Sequence, residues 1–347
     1  MSLIVDVHKN FGNFQLNASF ESGSEVTCLL GASGSGKSVT LKCIAGLIRP
    51  DSGYIELDGR VLFDSKNKID LTPQQRRVGY LFQNYALFPH MTVQKNLRCA
   101  IREETNQTSA DAQIREMLEL LHLEGTEKKL PGQLSGGQQQ RAALARILLN
   151  KPEYLLLDEA FSALDFYLKD KLIPEITKIL GTYPKGVLMV THSREEAYRM
   201  SRRAAVMDHG QLLTMKPVKQ LFADPETIQA ALLTGCKNVA AAEKTGEHEV
   251  FVPDWGIHLT TAKAVPEDIA AIGIRAHYFH ADCPQNVFPI RYEDELEEPF
   301  EWNLEFAYAG QKEQSDPIRW RMPKDRRPRH FPEKLGVAPA NIMILKK

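Results

Sequence analysis

VTCLLGASGSGKSVTLKCIAGL, residues 26–47, decides how this 347-residue chain is read. Val26–Leu30 is a short apolar run of the kind that forms a buried strand, and Val39–Leu47 has the pattern of a helix. Between them, Gly31-Ala32-Ser33-Gly34-Ser35-Gly36-Lys37-Ser38 fits G-x-x-x-x-G-K-[ST], a loop that turns successive backbone N–H groups toward one anion. Glycine at 31, 34 and 36 permits the tight turn and close approach, and the helix N-terminus adds its positive dipole as far as Val39. Lys37 then reaches the β- and γ-phosphates of a nucleotide, and Ser38 is placed to ligate Mg²⁺. A glycine-rich turn with a solvated lysine is the plainer alternative, but the order strand, loop, helix argues against it.

YLLLDE, Tyr154–Glu159, supplies the chemistry that a phosphate loop lacks. Leu155–Leu157 reads as a second buried strand, so Asp158 and Glu159 emerge at its carboxyl end, where open parallel sheets bind ligands. Asp158 would hold Mg²⁺ through water and Glu159 would polarise the attacking water. LSGGQ, Leu134–Gln138, precedes a helical pattern over Gln139–Asn150. Ser135, Gly136 and Gly137 therefore stand at a second helix N-terminus with exposed N–H groups. On its own, such a segment is equally an ordinary helix-opening turn.

Taken together, these segments resemble the ATP-binding cassette ATPases over about residues 1–232. The resemblance implies an α/β nucleotide-binding domain with a helical signature arm at about 92–150. It also implies a head-to-tail homodimer in which Ser135, Gly136, Gly137 and Gln138 of one subunit close on the γ-phosphate held by the other. Further landmarks match in order. Phe11 in KNFG resembles the aromatic that stacks on adenine, and Gln83 in YLFQNYALFP the metal-contacting, coupling glutamine. SALD, Ser162–Asp165, resembles the dimer-spanning loop and His192 in VLMVTHS the γ-phosphate switch. Tyr85, Leu87, Phe88 and Pro89 after Gln83 are expected to line a groove for a membrane subunit. The family usually has proline after the catalytic glutamate; Ala160 here puts the stiffness of the following turn in question.

Composition is consistent with this reading. Lys+Arg 43 against Asp+Glu 44 gives a net charge of −1, which offers no footprint for nucleic acid. No apolar run is long enough to span a bilayer, and MSLIVDVHKN lacks the features of a secretion signal, so a soluble, cytosolic chain is expected; the resemblance to transporter ATPases implies a peripheral place at the cytoplasmic face of the membrane. Cys28, Cys43, Cys99, Cys236 and Cys283 show no metal spacing and are an odd number.

Along the chain, Leu3–Phe20 alternates as an antiparallel strand pair. Ala112, Ile114, Met117, Leu118, Leu120 and Leu121 form an apolar stripe in the arm. Gly186–Thr191 and Ala204–Met207 read as strands, and Asp208-His209-Gly210 as a turn. The first domain is expected to span 1–235. From 236 to 347, short alternating runs broken by Pro and Gly (HEVFVP, GIHLTT, IGIRAHYFHA, FEWNLEFAYAG, PIRWRMP, NIMILKK) suit a small β-barrel accessory domain. The acidic run Tyr292–Glu301 and basic run Arg321–His330 read as solvated faces.

Within the cassette family, Gly59–Asp64 with IDLTPQQRRVGYLFQNYALFPHMTVQKNL (69–97), the compact FGNFQLNASF (11–20) and the barrel-like tail, with IGIR its clearest match, resemble the ATPase subunits of molybdate importers. That resemblance implies a separate permease and, indirectly, an exported substrate-binding protein. Sulfate, tungstate and iron importers have similar subunits. A soluble cassette ATPase would normally carry two cassettes or a long coiled coil, and a non-catalytic oxyanion-binding protein would not need Lys37, Asp158, Glu159 and His192 together. In molybdate-importer relatives a Ser/Thr-rich Arg-Asn segment of the tail binds regulatory oxyanion. The corresponding stretch here, DCPQNVFPI, keeps Asn286 but has no hydroxyls, so the tail is expected to serve as a dimer contact that does not sense molybdate.

Overall fold

The computed structural model describes residues 2–101, 106–162 and 166–347. They form two compact units, Met1–Lys219 and Gln220–Lys347.

The first unit is built on one eleven-stranded sheet. Its strands are β1 (Leu3–Asn10), β2 (Gln15–Ser22), β3 (Val26–Leu30), β4 (Ser52–Leu57), β5 (Arg60–Asp64), β6 (Ile69–Asp70), β7 (Val78–Leu81), β8 (Tyr154–Asp158), β9 (Val187–Thr191), β10 (Arg203–Asp208) and β11 (Gln211–Pro217). The spatial order is β6-β5-β4-β1-β2-β11-β10-β3-β9-β8-β7. Strands β10, β3, β9, β8 and β7 pair in parallel, whereas β1 pairs antiparallel with both β2 and β4. Every residue of β3, β8 and β9 is buried, as strands covered on both faces must be. β2 alternates strictly between exposed and buried, as the sequence alternation predicts.

Helix α1 (Lys37–Ala45) follows the glycine loop and packs on β1, β2, β7, β8 and β9. Its far end is finished by Arg76 in α2 (Pro73–Arg76), a fully buried side chain. The guanidinium donates to the carbonyls of Cys43 at 2.7 Å, Ile44 at 2.9 Å and Leu71 at 2.9 Å and pairs with Asp70 at 3.0 Å. The Cys43 and Ile44 carbonyls lie in the last turn of α1, so the buried charge meets the partial negative charge of a helix C-terminus.

The arm contains α3 (Val93–Arg98), α4 (Gln107–Leu120) and α5 (Gly136–Leu149). Its apolar stripe differs from the expected one: Ala110, Ile114, Leu118 and Leu121 are buried, while Ala112 and Leu120 are exposed. Spacings of four and three keep one face of a helix inward, and Ala112 and Leu120 fall off that face. Helices α6 (Phe166–Thr182) and α7 (Arg194–Met200) flank β9 in the chain.

Helix α8 (Val218–Ala223) crosses the division between the units, and α9 (Ile228–Leu233) belongs to the second. The division falls ahead of the expected boundary at 235/236. The physical reason is local: Ala231 and Ile228 of α9 pack with Cys236, Ala271, Met343 and Leu345 in a small core of the second unit. That unit is otherwise β-rich. Its strands are β12 (Asn238–Ala241), β13 (Glu243–Gly246), β14 (Glu249–Val252), β15 (Ile257–Thr260), β16 (Ala271–Ile274), β17 (Phe279–His280), β18 (Phe288–Glu297), β19 (Glu301–Tyr308), β20 (Ile318–Pro323), β21 (Lys334–Val337) and β22 (Ile342–Leu345). They form three sheets, β12-β16-β22, β13-β14-β15 and β17-β21-β18-β19-β20, around an aromatic core that includes Trp255, Phe279, Phe306, Tyr308 and Trp320. Among the described residues no helix is long and apolar enough to cross a membrane.

Candidate nucleotide-binding and hydrolysis site

The glycine loop connects the carboxyl end of β3 to α1. Gly31 cannot carry a side chain, because a Cβ there would lie 2.3 Å from the Met207 carbonyl oxygen and 2.6 Å from Ser35 Oγ. Gly36 caps α1 at φ 102 and offers no side chain to its first turn. The first hydrogen bond of the helix runs from Thr40 N–H to Gly36 O, at 2.9 Å. The amides of Lys37, Ser38 and Val39 therefore have no acceptor within the helix, and they form an anion-binding end beside the carboxyl ends of the parallel strands. Ala32, Ser33 and Gly34 form the exposed crown of the loop, and Ser35 anchors it from below. Lys37 is buried, its Nζ donating to Gly31 O at 3.0 Å, Ala32 O at 2.8 Å and Ser35 Oγ at 3.4 Å. Burial pushes its pKa down, and the carboxylates of Glu159 and Asp158 oppose that shift.

The acidic pair arrives from the carboxyl end of β8. Asp158 is buried and accepts from Ser38 Oγ at 2.6 Å on Oδ1 and from the Tyr80 hydroxyl at 2.6 Å on Oδ2. Glu159 has left the strand at φ 45, in the left-handed region. Its Oε2 stands 3.6 Å from His192 Nδ1. Its carbonyl accepts from Ser162 N–H at 3.1 Å and Ser162 Oγ at 2.9 Å, so the turn through buried Ala160 is closed by hydrogen bonds without the family's usual proline. Lys37, Ser38, Asp158, Glu159 and His192 thus come together from β3, β8 and β9, three neighbouring strands.

The remaining expected residues lie around this cluster. Gln83 is exposed, two residues past the end of β7. Tyr85 departs from its expected groove position: it is buried, with a hydroxyl that has no hydrogen-bond partner, leaving exposed Phe88 and Pro89 and half-buried Leu87 at the surface. Phe11 is 47% exposed in the β1–β2 turn, its ring 6.2 Å from that of Phe14, which itself lies against Gly36. Ser135 caps α5 in a reciprocal pair with Gln138: the Gln138 amide donates to Ser135 Oγ at 3.3 Å and the Ser135 amide to Gln138 Oε1 at 3.1 Å. Ser135 and Gly136 are exposed, whereas Gly137 is buried against the arm. Asp165, with Ala163 and Leu164, lies outside the described residues.

Three supports were not singled out from the sequence. Tyr80 is the first. The second is buried Glu196, which accepts from Thr191 Oγ1 at 2.6 Å and Lys169 Nζ at 3.0 Å and so fixes the strand end that carries His192. The third is Arg146 of α5, which donates to Ala86 O at 2.8 Å and lies 5.1 Å over the Phe88 ring, tying the signature helix to the segment after Gln83. A strand tyrosine, a helical glutamate and a helical arginine carry no local signal. The parallel register of Tyr80 with Leu156, one side-chain repeat before Asp158, was the clue to the first.

Unpaired amides, a buried lysine and an acidic pair at one strand end form a site able to bind and cleave a nucleoside triphosphate. The family model described as ABC transporter matches residues 14–162. The chain is 40% identical over 223 residues to the molybdenum import ATP-binding protein ModC of Paramagnetospirillum magneticum, covering 64% of this chain and 61% of that relative. It is 40% identical over 276 residues to the spermidine/putrescine import ATP-binding protein PotA of Oleidesulfovibrio alaskensis, covering 76% of this chain and 72% of the relative. The dimeric post-hydrolysis structure of the ATP-binding cassette MJ0796 bound to ADP and Pi is similar at 28% identity and TM-score 0.54, over 63% of this chain and 99% of that one. The chain belongs to the ABC transporter family of ATPases.

Proposed function

We propose that this chain is the ATP-hydrolysing subunit of an importer, working as a homodimer at the cytoplasmic face of a membrane and driving uptake of an oxyanion, molybdate first, through a separate permease fed by an exported binding protein. The observation that carries the ATPase reading is the convergence of Lys37, Ser38, Asp158, Glu159 and His192 at adjoining strand ends. Similarity to a molybdenum importer favours molybdate, and equal identity to a polyamine importer keeps the solute open to test.

The triphosphate lies along Gly31–Val39, its β- and γ-oxygens meeting the first-turn amides and Lys37. Among the described residues no group of three or more His, Cys, Asp or Glu side chains could hold a metal. The single carboxylate of Asp158 beside the Ser38 hydroxyl fits Mg²⁺, which is commonly held by one or two carboxylates together with substrate phosphates. Ser38 and Asp158 are its oxygen donors, with Gln83 a third from the β7 segment. Bound there, Mg²⁺ supplies neutralisation of phosphate charge. Glu159 accepts the proton of the attacking water, with His192 holding its carboxylate and facing the γ-phosphate. Ser135, Gly136, Gly137 and Gln138 of a second copy, with its Asp165, complete the site, and Phe11 supports the base. The second unit is read as an accessory domain of the TOBE type that contributes to the dimer.

Cells carrying Lys37→Ala in place of the parent should lose high-affinity molybdate accumulation and keep sulfate and polyamine accumulation. Loss of sulfate or polyamine uptake with molybdate uptake intact would refute the solute assignment.

A further inference from the structure

We propose that Tyr80 is a positioning residue for the cation-facing carboxylate, its hydroxyl fixing one oxygen of Asp158 so that the other stays with Ser38 at the phosphate side. This rests on the ATPase reading given above and adds a residue to it.

The geometry comes from strand register. β7 and β8 are parallel neighbours with Tyr80 beside Leu156, and side chains two apart on a strand share a face. Tyr80 and Asp158 are therefore on the same face, the one against which α1 packs, with Tyr80 lying one side-chain repeat back from the strand end. A phenol is long enough to cover that distance, and its hydroxyl meets Asp158 Oδ2 at 2.6 Å. The ring is braced by Phe82, centroid to centroid 4.4 Å.

Two donors on two oxygens do what one cannot. The terminal torsion of an aspartate is broad, so the Ser38 bond alone would leave the carboxylate free to pivot about Oδ1. A second bond on Oδ2 fixes the plane. The Ser38 hydroxyl spends its hydrogen on Asp158 Oδ1 and keeps its lone pairs for a cation, so the Ser38–Asp158 bond at 2.6 Å survives ligation. Tyr80 thus acts through Asp158, as hydrogen-bond partners of metal ligands commonly do.

Tyr80→Phe keeps the ring and removes only the hydroxyl. The test uses the full-length chain with Glu159→Gln, ATP as nucleotide and Mn²⁺ as probe, with free Mn²⁺ read by electron paramagnetic resonance. Adding Tyr80→Phe should weaken ATP-dependent Mn²⁺ binding about tenfold, the low end for loss of such a partner, and leave ATP binding in EDTA unchanged. Unchanged Mn²⁺ affinity would overturn the proposal, and so would an equal fall in metal-free ATP binding, which would make the hydroxyl a support of the loop. If the chain with Tyr80 intact shows no ATP-dependent Mn²⁺ binding, the ATPase reading itself fails, and Tyr80 loses its role with it.

Discussion

The two units spend their polar groups in opposite ways. At the carboxyl ends of β3, β8 and β9 the first unit keeps donors and acceptors facing outward: the first-turn amides of α1, Glu159 displaced into the left-handed region, His192 half in solvent. The second unit turns its polar side chains onto its own backbone. Asn238 donates to Ile274 O and Arg319 O and accepts from Arg319 N–H, and Arg275 donates to Thr234 O and Phe222 O. Asn286, at φ 46, accepts from Thr260 N–H at 2.8 Å and donates to Thr260 O at 3.0 Å and Val337 O at 3.1 Å. A buried polar group already paired stabilises the fold, and one left facing a cleft is available for chemistry. On that criterion the catalytic work belongs to the first unit, and the amide of Asn286 is already committed to structure.

The sharpest way to break the contrast is at Glu159. Glu159→Gln keeps size and hydrogen bonding and removes the base, so ATP turnover should fall by about 10²–10⁴-fold, while ATP binding by equilibrium dialysis is retained. Turnover near the parent rate would mean that the outward-facing glutamate is not the base.

A smaller effect is expected in the other unit. Asn286→Ala removes three hydrogen bonds to backbone at a half-buried position and should cost about 0.5–1.5 kcal/mol, since water can reach part of what is lost. All three tryptophans, Trp255, Trp302 and Trp320, lie in the second unit, so their fluorescence follows its unfolding in denaturant separately from the first. The tryptophan midpoint should drop and ATP hydrolysis should stay insensitive to molybdate in parent and variant alike. A parent inhibited by molybdate, with inhibition lost in Asn286→Ala, would restore a sensing role for the tail.

What could be read in the sequence follows the same division. The phosphate loop could be picked out because glycines at 31, 34 and 36 stand between a strand and a helix pattern, and the acidic pair, by itself an ordinary cap or turn, only because it follows that loop. Tyr80, Glu196 and Arg146 were not, because each works through a partner brought close only by strand register or helix packing. In the second unit the acidic stretch Tyr292–Glu301 is solvated as expected, with no buried residue, but its strand, Phe288–Glu297, was not legible. It is mostly exposed, with a register shift between Tyr292 and Asp294 that interrupts the two-residue alternation by which strands are recognised.

The central claim is that hydrolysis takes place at a site shared between two copies. Lys37→Ala should bind nucleotide weakly, and Ser135→Arg should bind it normally; alone, each should be inactive. Mixed, they form dimers in which one of the two sites has an intact Lys37 from one copy and an intact Ser135 from the other. The most direct measurement is ATP hydrolysis by that mixture under conditions where mixed dimers are demonstrated by differential tagging. The shared site predicts activity clearly above either variant alone; mixed dimers as inactive as their parents would contradict it.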